Sequence, residues 1–201
     1  MIKCRPATED EMIAAFLQAE VDSPRWSDCV RSGLATLGLE RSLIDQPDLT
    51  DRQQNGLRKQ LLWYRGYERR EGLFKGFPLD VAWRRVDLEA GDLQTMRYIN
   101  DTVTTTPNWT NLSSGTRLVS DGAVNLRQHT SDPRFRQIIE IARALRGGKR
   151  FEPLIAAQNR DDYLVIIEGH SRATAYAFER FSGPVDAFVG SSPAMDKWPF
   201  Y

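Results

Sequence analysis

Apolar residues recur at three- and four-residue spacing early in the chain, first in Met12, Ile13, Phe16 and Leu17 and again in Leu57, Leu61, Leu62 and Tyr64. That spacing is the mark of helices burying one face. Thr8 stands three residues before Glu11, and Asp48-Leu49-Thr50-Asp51 precedes an Arg/Gln/Leu-rich stretch, so cap-forming side chains announce two helix starts. Gly33 and Gly38 interrupt a helical pattern around Val30, Leu34 and Leu37, and Pro47 predicts a break after Ile44. Three or four helices are expected over residues 1–82.

The texture changes from Arg65 to Pro78, where glycines and a proline interleave with aromatics and charges; this stretch reads as a connector whose aromatics dock the helices onto the second half of the chain. Trp83 to Leu88 alternates like a strand, and Leu93 to Ile99 reads as a short helix. Thr102 to Gly115, rich in Thr, Asn, Ser and Pro, reads as a loop, a surface insertion in preference to a substrate lid. Arg134 to Leu145 is an amphipathic helix ended by Gly147-Gly148. Two buried-type strands come next, Pro153 to Ala157 and Tyr163 to Ile167, then a helix from Ser171 to Phe181 and a strand from Val185 to Val189; the aromatic tail Trp198 to Tyr201 packs somewhere. The expected class is α+β, a helical region over 1–82 followed by a small mixed-sheet domain over 83–201.

Composition narrows the setting. Basic and acidic residues number 27 each and cancel, so no global field favours nucleic acid. The local basic clusters Arg69-Arg70, Arg84-Arg85 and Arg143-Arg146-Lys149-Arg150 read as solvated faces. No apolar run approaches the ~20 residues that span a bilayer, and the first residues carry no secretion core. A cytoplasmic protein without membrane partners is expected. Cys4 and Cys29 form no CxxC, and with only His129 and His170 there is no zinc constellation, so no metal site is assigned.

The chemistry concentrates in Glu168-Gly169-His170-Ser171-Arg172, where a buried strand stops at a glycine and a small-residue helix begins at once. Gly169 permits a close turn, the first helical amides carry partial positive charge, and Arg172 can offer a guanidinium fork to a phosphate. His170 at the mouth could donate to a phosphoryl oxygen or exchange a proton. Glu168 could orient Arg172, hold magnesium or take a proton from a substrate hydroxyl. The bland alternative is a surface ion pair between Glu168 and Arg172, four residues apart. Arg117, expected in a loop before a strand, is a second phosphate contact by this reading; His129 reads as an ordinary helix-start residue.

Phe151-Glu152-Pro153-Leu154-Ile155, the Tyr163–Ile167 strand and Gly169-His170-Ser171-Arg172 with its small-residue helix resemble the ParB/sulfiredoxin superfamily, over roughly residues 83–190. The resemblance implies a Pro-Leu strand, a hairpin, a Gly-x-x-Arg loop on nucleotide phosphates and a helix, in that order. Its members include partitioning proteins that bind CTP and DNA, sulfiredoxins that use ATP and a loop cysteine, and free serine kinases with a similar Gly-His-x-Arg loop. No cysteine lies near this loop, and about twenty residues follow the predicted helix, with no helix-turn-helix among them. Those departures leave the serine kinase-like branch nearest.

That branch implies a nucleotide/phosphate-binding phosphotransferase using ATP or ADP with Mg2+ on a small hydroxylated metabolite. Its catalytic residues would be Glu168, His170 and an acid near the first strand, Glu89 or Asp92, and its phosphate ligands Gly169, His170, Ser171, Arg172 and Arg117. The competing expectation is a non-enzymatic module that senses a nucleotide or grips nucleic acid.

Overall fold

The computed structural model describes residues 4–104, 108–159, 163–181 and 183–201. In chain order the strand β1 (Cys4–Pro6) is followed by α1 (Glu9–Glu20), α2 (Ser27–Leu37), α3 (Ser42–Asp45) and α4 (Arg52–Trp63). Then come β2 (Ala82–Leu88), α5 (Ala90–Thr95), α6 (Asn108–Leu112), α7 (Val119–Gln128) and α8 (Arg136–Arg146). The chain continues with β3 (Leu154–Gln158), β4 (Leu164–Glu168), α9 (His170–Phe178) and β5 (Val185–Ser191). Both anticipated caps are present: Thr8 and Glu11 form a reciprocal capping box on α1, and the Asp51 carboxylate accepts from the Gln53 and Gln54 amides on α4.

The strands form one mixed sheet in the order β1-β2-β5-β3-β4. β3 runs parallel to β5, and every other pair is antiparallel. The period-two alternation of side chains splits the core cleanly. Trp83, Ile155, Ala157, Val165, Ile167 and Phe188 face one way, into a core shared with α1 to α4 and the tail from Met195 to Tyr201. Val86, Leu154, Ala156, Leu164, Ile166 and Ala187 face the other way, into a core shared with α5, α7, α8 and α9. With a helical layer on each side, β3 is buried at every position, which is why its sequence is a run of apolar residues without alternation.

The helices of 1–82 are thus one face of the same sheet, and β1 supplies its edge. Three residues of mixed character carry no strand pattern, so β1 was not legible in the sequence. The 65–78 stretch does dock as aromatics should: Phe77 stands edge-on to Trp198 at 5.1 Å, and the Trp198 indole N–H donates to the Leu73 carbonyl at 2.8 Å.

Three expectations are corrected. The helix anticipated over Leu93 to Ile99 is α5, ending at Thr95; Arg97 instead exchanges backbone hydrogen bonds with Leu164 and Ile166, closing the outer edge of β4. The strand anticipated after Arg117 is the helix α7, whose buried Val119, Ala123 and Leu126 recur at helical spacing. The loop anticipated from Thr102 contains α6, anchored where the buried Asp101 carboxylate accepts from the Trp109 and Thr110 amides at 2.7 and 3.1 Å. Residues 105–107 of that stretch lie outside the described residues.

Candidate phosphate-loop site

The turn from β4 into α9 is made by Gly169, at φ 98°. A Cβ there would stand 2.6 Å from Leu154 Cδ2 and 2.9 Å from Arg172 Nη2, so both the conformation and the space require glycine. Among the described residues no side chain caps α9, which leaves its first-turn amides to an outside acceptor. The helix is braced from behind: the buried Tyr98 hydroxyl lies 2.7 Å from Thr174 Oγ1, which in turn donates to the His170 carbonyl at 2.8 Å.

Arg172 is buried, with its Nε inaccessible and unpartnered. Its ion pairs are long, 3.6 Å to Glu168 and 3.8 Å to Glu152, and one Nη donates to the Pro153 carbonyl at 3.3 Å. A guanidinium so loosely held retains hydrogen-bonding capacity for an anion. Burial pushes the Glu168 carboxyl up despite the neighbouring charge of Arg172.

His170 is only partly accessible and its Nε2 is buried without a partner. The imidazole stacks on the indole of Trp109 (centroids 5.0 Å apart, planes at 21°), and Trp109 stacks on Tyr98 at 5.2 Å. Desolvation, helped by the charges of Arg25 and Arg172, drops His170 to about 3. At neutral pH the ring is therefore uncharged, able to donate or accept a hydrogen bond but not poised to exchange a proton.

The helical layer reaches this loop, which sequence reasoning missed. Arg65, after α4, lies 2.9 Å from both oxygens of the wholly buried Glu20 at the end of α1, with its guanidinium 3.3 Å above the Trp26 ring. Arg65 also acts electrostatically on Glu168, and Arg25 acts on Glu20, Glu168 and His170. Burial raises Glu20 to about 7. One signal could have flagged Glu20: it follows Phe16 by four residues and Leu17 by three, in phase with the apolar stripe of α1. Ser171, Arg25 and Trp109 share a cleft of about 700 Å³.

The other anticipated residues lie elsewhere or are otherwise engaged. Arg117 commits its guanidinium to backbone carbonyls, those of Tyr98 (2.8 Å) and Tyr201 (2.6 Å) among them, and so fastens the tail. Glu89 and Asp92 form the capping box of α5, at the end of β2, with β5 and β3 between them and β4. His129 closes α7. In the basic clusters Arg85 pairs with Asp186 at 2.5 Å and Arg146 with Glu179 at 2.9 Å.

Among the described residues no three His, Cys, Asp or Glu side chains converge as a metal group. The Glu168 carboxylate, anticipated as a magnesium ligand, is faced by Arg172 at 3.6 Å. Among the described residues no helix is long and apolar enough to cross a membrane. No protein-family model, curated protein or solved structure matches the chain.

Proposed function

We propose that this chain binds a nucleotide, ATP or ADP, by its phosphates at the N-terminus of α9, and transfers a phosphoryl group to a small hydroxylated metabolite. The observation that carries the reading is the coincidence of an uncapped helix start after a left-handed glycine with a buried arginine whose Nε has no partner. Gly169 gives the phosphate access to the amides of His170 and Ser171, and Arg172 supplies charge from beneath. Phosphoryl transfer depends mainly on positioning and on charge stabilisation, which such a cradle can provide. Glu168, its proton affinity raised by burial, is the base for the acceptor hydroxyl. His170 acts as a neutral hydrogen-bonding group, and Mg2+ bound with the nucleotide would offset phosphate charge. The order β3, β4, loop, α9 supports reading this half as ParB/sulfiredoxin-like.

The test is a thermal-shift and turnover screen of ATP and ADP with Mg2+, against a panel of hydroxylated amino acids and sugars. Nucleotide should raise the Tm and be consumed with one acceptor class, and Arg172→Ala should abolish both effects. Stabilisation without consumption would make the protein a nucleotide sensor; no stabilisation by any nucleotide would end the reading.

A further inference from the structure

We infer that the cleft between α6, α7 and α8 is the nucleoside subsite for an adenine nucleotide, with the base against Trp109 and the phosphates passing Arg25 and Ser171 to α9. This rests on the proposal of phosphate binding at α9 and adds where the remainder of the ligand lies and which side chains select its adenine. The cleft, about 700 Å³, is within the ~300–1,000 Å³ that holds ligands of nucleotide size. Ser171, in the first turn of α9, is among its lining residues, so the cleft reaches the phosphate cradle. Trp109 stands in its wall, held by the anchoring of α6 on Asp101 and by its stack on His170 and Tyr98. An indole fixed in this way is a stacking platform for a base.

The remaining lining chooses among bases. No Asp or Glu is found among its described lining residues, so an anionic ligand meets no repulsion there, while Arg25 is exposed at the rim. Asn111, Gln128 and Gln137 present amides, each with a donor beside an acceptor. That pairing matches the adenine N6/N7 edge, whereas guanine O6/N7 calls for an arginine fork. Of the two arginines among its described lining residues, Arg25 lies on the path assigned to the phosphates, and Arg134 is engaged by Asp132 through contacts of 2.6 to 3.1 Å. Purines also stack more strongly than pyrimidines.

Calorimetry on the full chain with tripolyphosphate, ATP, GTP and CTP separates the layers of this proposal. ATP should bind roughly tenfold or more tightly than tripolyphosphate and more tightly than GTP or CTP. Trp109→Ala should bring ATP down to the tripolyphosphate value without changing the latter, and Trp109→Phe should keep most of the difference. If tripolyphosphate binds in an Arg172-dependent way but ATP binds no more tightly, or GTP and CTP equal ATP, the subsite is overturned while the phosphate reading survives. If neither tripolyphosphate nor nucleotide binds, the phosphate reading has failed and takes the subsite with it. Should Trp109→Ala not fold, the wild-type indole N–H resonance of Trp109, assigned through Trp109→Phe, serves instead. It should move with ATP and not with tripolyphosphate, and a resonance indifferent to ATP overturns the subsite.

Discussion

Arg65 holds Glu20 with its Nε 2.9 Å from each carboxylate oxygen, joining the turn after α4 to the end of α1 in a place where Glu20 has no exposure. A buried pair of this kind is weak evidence of net stabilisation, because both charges lose their hydration. Removing one partner is another matter, since it strands the other. Arg65→Ala should therefore cost about 3–5 kcal/mol in urea unfolding at pH 9, where the folded protein keeps Glu20 ionised, and less below pH 7, where Glu20 holds a proton. Arg65→Met combined with Glu20→Gln should recover much of the loss; a cost below about 1 kcal/mol for the single change would mean that the pair does not bind the helical layer together.

Among the contributions to the pH dependence of stability, those of Glu20 and His170 are opposed, and the raised Glu168 acts in the same direction as Glu20. Glu20 is raised from 4.5 to about 7, so between those values the folded state keeps a proton that the unfolded chain has lost. Its contribution is complete below pH 4.5 and falls as pH rises through 7, by at most about 1.4 kcal/mol per pH unit. His170 is lowered from 6.5 to about 3, so the unfolded chain takes up the proton first and stability falls as pH drops below 6.5. Between pH 4.5 and 6.5 the two largely cancel. His170→Asn should unmask a gain in stability on acidification from pH 7 to 5, and Glu20→Gln a loss. Unfolding titrations at four pH values would expose the idea as mistaken if the two variants shared one slope.

Gly169→Ala tests the turn itself. A left-handed alanine is strained by roughly 1–2 kcal/mol, and its methyl would meet Leu154 and Arg172, at a further cost of roughly 1–3 kcal/mol. The variant should be destabilised by about 2–5 kcal/mol and should lose tripolyphosphate binding even at temperatures where it stays folded. Full binding by a folded Gly169→Ala would remove the loop from the phosphate site.

Arg117→Ala discriminates between anchoring and ligand contact. Its guanidinium donates to the carbonyls of Tyr98, Phe200 and Tyr201, so truncation takes the side-chain donor from the buried Tyr98 carbonyl and from Tyr201, while Phe200 keeps the Asn100 amide. A loss of about 2–4 kcal/mol is expected, with unchanged nucleotide affinity at low temperature. A drop in affinity at unchanged stability would return Arg117 to the phosphate site.

What the sequence determined by itself is local. The caps at Thr8 and Asp51, the apolar strands β3 and β4, the glycine turn and the helix after it all rest on interactions within a few residues, which periodicity and cap chemistry report directly. Helical spacing in Val119, Ala123 and Leu126 was also there to be read, though the expectation placed a strand in that stretch. Tertiary structure alone decided which side chains share the site. Glu20 and Arg65 are 45 residues apart in the chain and meet only because α1 and α4 cover the same face of the sheet. Trp109 reaches His170 because the Asp101 carboxylate organises a short helix whose polar sequence resembles a loop. Arg117 looks from sequence like a free charged side chain. Carbonyls of Tyr98 and of the tail take it up, because buried backbone groups must find partners and the fold set it beside them.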